Sequence, residues 1–105
     1  MNPHPPDDTL RLVIHAPTEA ALARARANAA NLLRAEPAAA VEIVINGPAV
    51  AAALASPHDT DRLLRVCANT LATQDLDADP TIARVKAAVL YIAQRQRDGW
   101  AYMRA

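Results

Sequence analysis

The chain has 105 residues and equal numbers of basic and acidic side chains, eleven each, so nothing in its charge draws it to nucleic acid or to an acidic membrane surface. Apolar residues make up 52%, far too many for a disordered chain, yet 26 of them are Ala and none is Phe. The length suits one hydrophobic core, the single cysteine, Cys67, excludes an internal disulfide and a multi-cysteine metal site, and no apolar run reaches the ~20 residues of a membrane span.

Residues 1–8 hold three prolines and no large apolar side chain besides Met1, which predicts a flexible tail carrying His4. That opening lacks the charged and apolar regions of a signal peptide, so a cytoplasmic protein is expected. Thr9–His15 is a short β-branched apolar run and predicts a buried strand. Thr18 is a suitable N-cap for a helix over Glu19–Glu36, with Leu22, Ala25, Ala29, Leu32 and Leu33 on one face and Pro37 as the stop. Ala40–Asn46 predicts a second strand. Its Val41, Ile43 and Ile45 face one way, and Glu42, Val44 and Asn46 the other. Gly47 breaks it, and Pro48 fits the first turn of a short helix, Pro48–Ala55. Ser56–Asp59 is a loop.

Thr60–Gln74 reads two ways. The spacing of Leu63, Leu64, Cys67 and Leu71 slightly favours one amphipathic helix; alternatively Arg62–Cys67 is a strand and a helix opens at Ala68. Asp75–Pro80 is a loop and Arg84–Ala87 a possible short strand. Ala88–Arg97 predicts a helix with Val89, Ile92 and Ala93 on its inner face and a solvated end at Arg95, Arg97 and Asp98. Gly99 closes it, and Trp100–Arg104 alternates as a last strand. Strands alternating with helices indicate an α/β domain over residues 9–105 with a mostly parallel sheet.

Four stretches resemble the DsrE/DsrF-like (YchN-like) family in its small single-domain branch. They are Asn28-Ala-Ala-Asn31-Leu32-Leu33, the run Val41–Val50 through Asn46-Gly47-Pro48, the word Cys67-Ala68-Asn69-Thr70-Leu71, and Gln96-x-x-Gly99-Trp100-Ala101-Tyr102-Met103 near the end. The chain departs from the family pattern at Asp61 or Arg62, Asp75 and Ala87-Ala88, where glycines are usual, and at Ala105, where a proline is. The resemblance implies that Arg62–Cys67 is a strand and that Ala68 opens a helix. It implies a three-layer sandwich with a mainly parallel five-stranded sheet between helices, and a homo-oligomer, trimer or hexamer.

In such a sheet, ligands bind at the carboxyl ends of the strands. His15, Asn46, Gly47 and Cys67 would reach that edge, with Lys86 nearby. A thiol at a helix start gains from unpaired N–H groups and favours thiolate. By resemblance, Cys67 is the candidate catalytic residue of a sulfur-relay protein, a persulfide carrier that would need a sulfur donor and an acceptor protein or small thiol. Such a thiol should open to a crevice, whereas a packing cysteine is sealed. Asn69 and Thr70 are candidate ligand contacts or, alternatively, caps of the helix through their side-chain oxygens, the role that suits Asn69 better. His15 is a candidate base or a strand-end residue with a satisfied hydrogen bond. The Asn46-Gly47 turn could bind an anion through backbone N–H groups. A different reading is a non-catalytic oligomeric module that binds a small anionic ligand or a protein partner at the crevice, and a third is an oligomer without a ligand site. No cofactor or metal is expected: His4, His15 and His58 have no ligand spacing, and there is no Gly-rich phosphate loop.

Overall fold

The computed structural model describes residues 8–105. His4 and most of the expected tail lie outside the described residues. Five strands, β1 (Arg11–Ala16), β2 (Ala40–Ile45), β3 (Leu64–Cys67), β4 (Ala83–Val85) and β5 (Ala101–Arg104), alternate with four α-helices, α1 (Glu19–Ala35), α2 (Pro48–Ala55), α3 (Ala68–Thr73) and α4 (Ala88–Arg97). The sheet order is β4–β3–β2–β1–β5, and every pairing is parallel. The chain is thus an α/β fold, and its sheet is wholly rather than mainly parallel.

The pleat sorts side chains between two faces. On one, Ile14, Val41, Ile43, Ile45, Leu64 and Val66 meet Leu22, Ala25 and Ala29 of α1 and Val50 of α2 in the main core. Ala at the contact positions of both helices removes the bulk that would hold them off the sheet. On the other face, Val13, Val44 and Cys67 pack under Ala88, Tyr91 and Ile92 of α4 and Trp100. β2 divides between these faces as its alternation predicts.

Local signals explain several ends. Thr18 caps α1, its hydroxyl accepting from the Ala21 N–H at 3.0 Å. Pro48 occupies the first turn of α2, where no N–H is needed. The single helix favoured by spacing for 60–74 does not form. Asp59–Leu63 is a 3-10 turn, β3 follows, and α3 begins at Ala68. The 3-10 turn is fixed by a reciprocal cap. His58 Nδ1 accepts from the Thr60 N–H, and Asp61 accepts from the His58 N–H. Pairing of Leu64–Val66 with Ile43–Ile45 then outweighs the helical spacing.

Asp75 adopts a positive φ of 51°. Its position closes α3 in a Schellman turn: the Leu76 N–H donates to the Leu71 carbonyl at 2.9 Å. In α4 the expected inner face is wrong in part. Val89 is 78% exposed and Ala93 is exposed, while Ala88, Tyr91, Ile92 and Arg95 turn inward. Arg95 is no solvated helix end. Its guanidinium reaches the sheet, where a carboxylate outcompetes the apolar pattern that positioned Val89.

Among the described residues, no helix is long and apolar enough to cross a membrane.

Candidate functional site

Glu42 is the one carboxylate in the middle of an apolar strand, and it is 5% exposed. Three side chains answer it. Arg95 donates from Nε to Oε1 at 2.8 Å and from Nη2 to Oε2 at 3.0 Å, a bidentate pair. The Tyr91 hydroxyl donates to Oε1 at 2.7 Å, and Arg65 from β3 lies 3.2 Å from Oε2. The Arg95 guanidinium also stacks over the rings of Tyr91 and Trp100, at 4.8 and 4.7 Å from their centroids. Burial pushes the Glu42 carboxyl up. The bonds from Arg95 and Tyr91, with the charges of Arg65 and Arg95, outweigh that and hold it below its ordinary value. This cluster bolts the second half of α4 to the sheet.

At the other end of α4 lies the carboxyl edge of the strands. The parallel register pairs His15 with Val44 and Val44 with Arg65. Continued by two residues, the same register sets Asn46 beside Cys67 on the α4 face. The His15 ring Nε2 lies 2.9 Å from Asn46 Oδ1. The amide oxygen only accepts, so Nε2 is the donor in this pair. These two residues form the polar floor of a pocket of about 300 Å³, walled by Ala88, Val89, Ile92 and Ala93 with Gln96 and Tyr102. Sequence reading brought His15 and Asn46 to this edge. It did not find the α4 wall or Tyr102, because the exposed stripe of α4 looked like a core stripe.

Cys67 is 5% exposed and lies outside the pocket lining. Ala88 lines the pocket and packs in the same buried cluster as Cys67. Burial pushes the thiol up. The backbone N–H of Thr70, that of Ala88, the Thr70 hydroxyl and the Asn69 N–H together outweigh it, and the thiol sits below its ordinary value. The starts of α3 and α4 therefore converge on one sulfur. That convergence is invisible in sequence, because Ala88 is 21 positions from Cys67 and carries no chemical signal.

Thr70 is buried, and its Oγ1 accepts the Gly47 N–H at 3.2 Å. It links the β2–α2 turn to the sulfur and is not a surface ligand contact. The Gly47 N–H is for the same reason already engaged rather than open to an anion. Gly47 has φ +55°, and a Cβ there would lie 3.1 Å from the Pro17 carbonyl oxygen, so the turn accepts only glycine without strain. Asn69 does not cap α3. The cap position is Cys67 itself, without a side-chain cap bond, and Asn69 is exposed in the first turn. Lys86 is exposed just past β4. Among the described residues, no three His, Cys, Asp or Glu side chains converge to hold a metal ion.

Fold and site together define an all-parallel α/β protein with a buried cysteine, its thiol held below its ordinary value, near a strand-end pocket. No protein-family model matches the chain, and a search of curated proteins finds none significantly similar. Among solved structures, the chain is similar to a protein of unknown function from Methanobacterium thermoautotrophicum. The TM-score is 0.69 at 22% identity, over 91% of this chain and 99% of that one. At that identity the likeness concerns the fold.

Proposed function

We propose that the protein is a DsrE/DsrF-like persulfide carrier acting through Cys67. The observation that carries this reading is the set of N–H donors from two helix starts around the Cys67 sulfur, which favours thiolate in spite of burial. The thiolate attacks the outer sulfur of a donor persulfide. A bond forms between Sγ and that sulfur, the donor's own S–S bond breaks, and the donor leaves as a thiolate with the electron pair. With one cysteine in the chain, release requires attack by an external thiol on the same outer sulfur. Exposed Val89, Leu90 and Tyr102 at the α4 and β5 edge support the homo-oligomer, trimer or hexamer, that the resemblance implies.

Incubation with a polysulfide donor, followed by intact mass, is expected to add one sulfur to the native protein and none to Cys67→Ser. Discharge to a small thiol should restore the original mass. A native protein that gains no sulfur overturns the carrier role.

The burial of Cys67, outside the pocket lining, favours a second reading, a non-catalytic module that binds a small ligand in the pocket over His15 and Asn46. A protein that takes no sulfur, yet shows His15 ring shifts on ligand titration, belongs to this class.

A further inference from the structure

The two edges of the sheet are finished differently. At one edge β4 is three residues long, and the Arg84 guanidinium folds back onto the Ala78 and Ile82 carbonyls. At the other edge β5 has no such guard: Ala101, Tyr102 and Arg104 are exposed, and the strand carries no proline, lysine or bulge. The Ala105 N–H donates to the His15 carbonyl at 2.9 Å. The odd residues of β5 therefore turn their backbone groups to β1, and Tyr102 and Arg104 turn theirs outward. Among the described residues nothing pairs with those outward groups. Tyr102 is in register with Val13 and Arg104 with His15, so both side chains lie on the α4 face. Tyr102 and Val89, 41% and 78% exposed, line the same pocket there. Among the described residues, Arg104 has no acidic partner.

We propose that β5 pairs antiparallel with β5 of a second copy about a two-fold axis at Met103. In that register Tyr102 of each copy exchanges both backbone bonds with the partner's Arg104, and every outward N–H and C=O of the strand is paired. The side chains agree: each arginine lies directly across from a tyrosine ring, on the pocket face. The two neighbouring centres fail. Centring on Tyr102 calls on the Trp100 N–H, which already donates to the Arg95 carbonyl at 3.0 Å. Centring on Arg104 sets arginine against arginine. The strand is thus complementary to itself, and its occupant is a second copy rather than a strand of another protein. The pocket lining holds no Lys, Arg, Asp or Glu of its own, and the pairing brings the partner's Arg104 to its Tyr102 rim. The inference rests on the homo-oligomer of the proposed function, not on its sulfur chemistry. Of the sizes the resemblance implies, a hexamer contains such two-folds and a trimer does not.

The test is light scattering on the size-exclusion peak of the full chain over a range of protein concentrations. The native chain should run as an even-numbered oligomer. Tyr102→Arg sets like charges across the axis and should raise the concentration needed for association about tenfold. Adding Arg104→Glu to that variant restores opposite charges across the axis and should return association to about the native level. Far-UV circular dichroism should be unchanged in both, since both positions are exposed. The register has its own readout, in a Cys67→Ser background. Met103→Cys should cross-link to itself as a disulfide, its two copies facing each other at ~4.5 Å between Cα atoms, whereas Tyr102→Cys should not, its copies lying on a diagonal. The β5 pairing is overturned, and the oligomer of the proposed function left standing, by a native trimer, by an oligomer that Tyr102→Arg leaves intact, by a double variant that stays dissociated, or by cross-linking through Tyr102→Cys and not Met103→Cys. A native chain that stays monomeric at every concentration ends both the pairing and the oligomer, and sulfur loading of Cys67 is then judged by its own mass shift.

Discussion

On the side of the sheet that faces α1 and α2, position is set by volume: Ile14, Ile43, Ile45 and Leu64 interlock with Ala-rich helices, and no charge takes part. On the side that faces α4, a single helix spans the sheet, and its position is set by one carboxylate and the donors around it. The first kind of face is non-directional and uniform along its length. The second is directional and concentrated at one end. The difference explains how one sheet carries an interlocked aliphatic face and, on its other side, a helix anchored by charge at one end and bordering a thiol at the other.

The comparison can be broken most forcefully at Glu42. Glu42→Ala leaves Arg65, Arg95 and Tyr91 without their acceptor and is expected to cost about 3 kcal/mol, the low end for a buried pair because both arginines keep some water. Urea unfolding measures it. Because the folded carboxyl titrates below its ordinary value of 4.5, its contribution is fully present above that pH and is lost as pH falls through the lower, folded value. The difference between wild type and variant should therefore be constant down to about pH 4.5 and shrink below it. A difference that does not respond to acid would remove the charged cluster from the account of α4.

On the opposite face, Ile43→Val is expected to cost about 1 kcal/mol by lost packing, with no pH dependence of its own. A pH-dependent cost there would show that the two faces are not independent. The smallest effect concerns the closing turn of α3. Asp75→Gly relieves a side chain held at positive φ and should stabilise by about 0.5–1 kcal/mol. Destabilisation would mean that the Asp75 side chain has a role the backbone does not reveal.

Much of the scaffold was legible in the sequence because its signals are local. Thr18 before α1, Pro48 opening α2 and Gly99 beyond α4 each act within a turn of their own helix, and the alternation of β2 assigned both its faces. What was not legible depends on distance. Arg95 and Glu42 are 53 positions apart, so the arginine read as solvated and Val89 as buried. Residues 60–74 failed for another reason: a four-residue strand is too short to outvote leucines at helical spacing, and only its neighbour β2 decides. At the site, His15, Asn46 and Cys67 were recoverable as strand-end residues. The donors that act on the sulfur were not, because three of the four are backbone N–H groups, one of them from Ala88, whose side chain carries no chemical signal.

Glu42 has one more consequence, which concerns register. β2 is apolar at every position but this one, so its composition alone would let it pair almost as well after a slip of one residue. Such a slip would turn every side chain over. It would carry the Glu42 carboxylate into the aliphatic face, away from Tyr91, Arg65 and Arg95, and among side chains that offer it no donor. One buried charge therefore serves as an address within an otherwise anonymous strand. By fixing β2 it fixes the neighbours on both sides, and with them the alignment of His15, Asn46 and Cys67 along one edge.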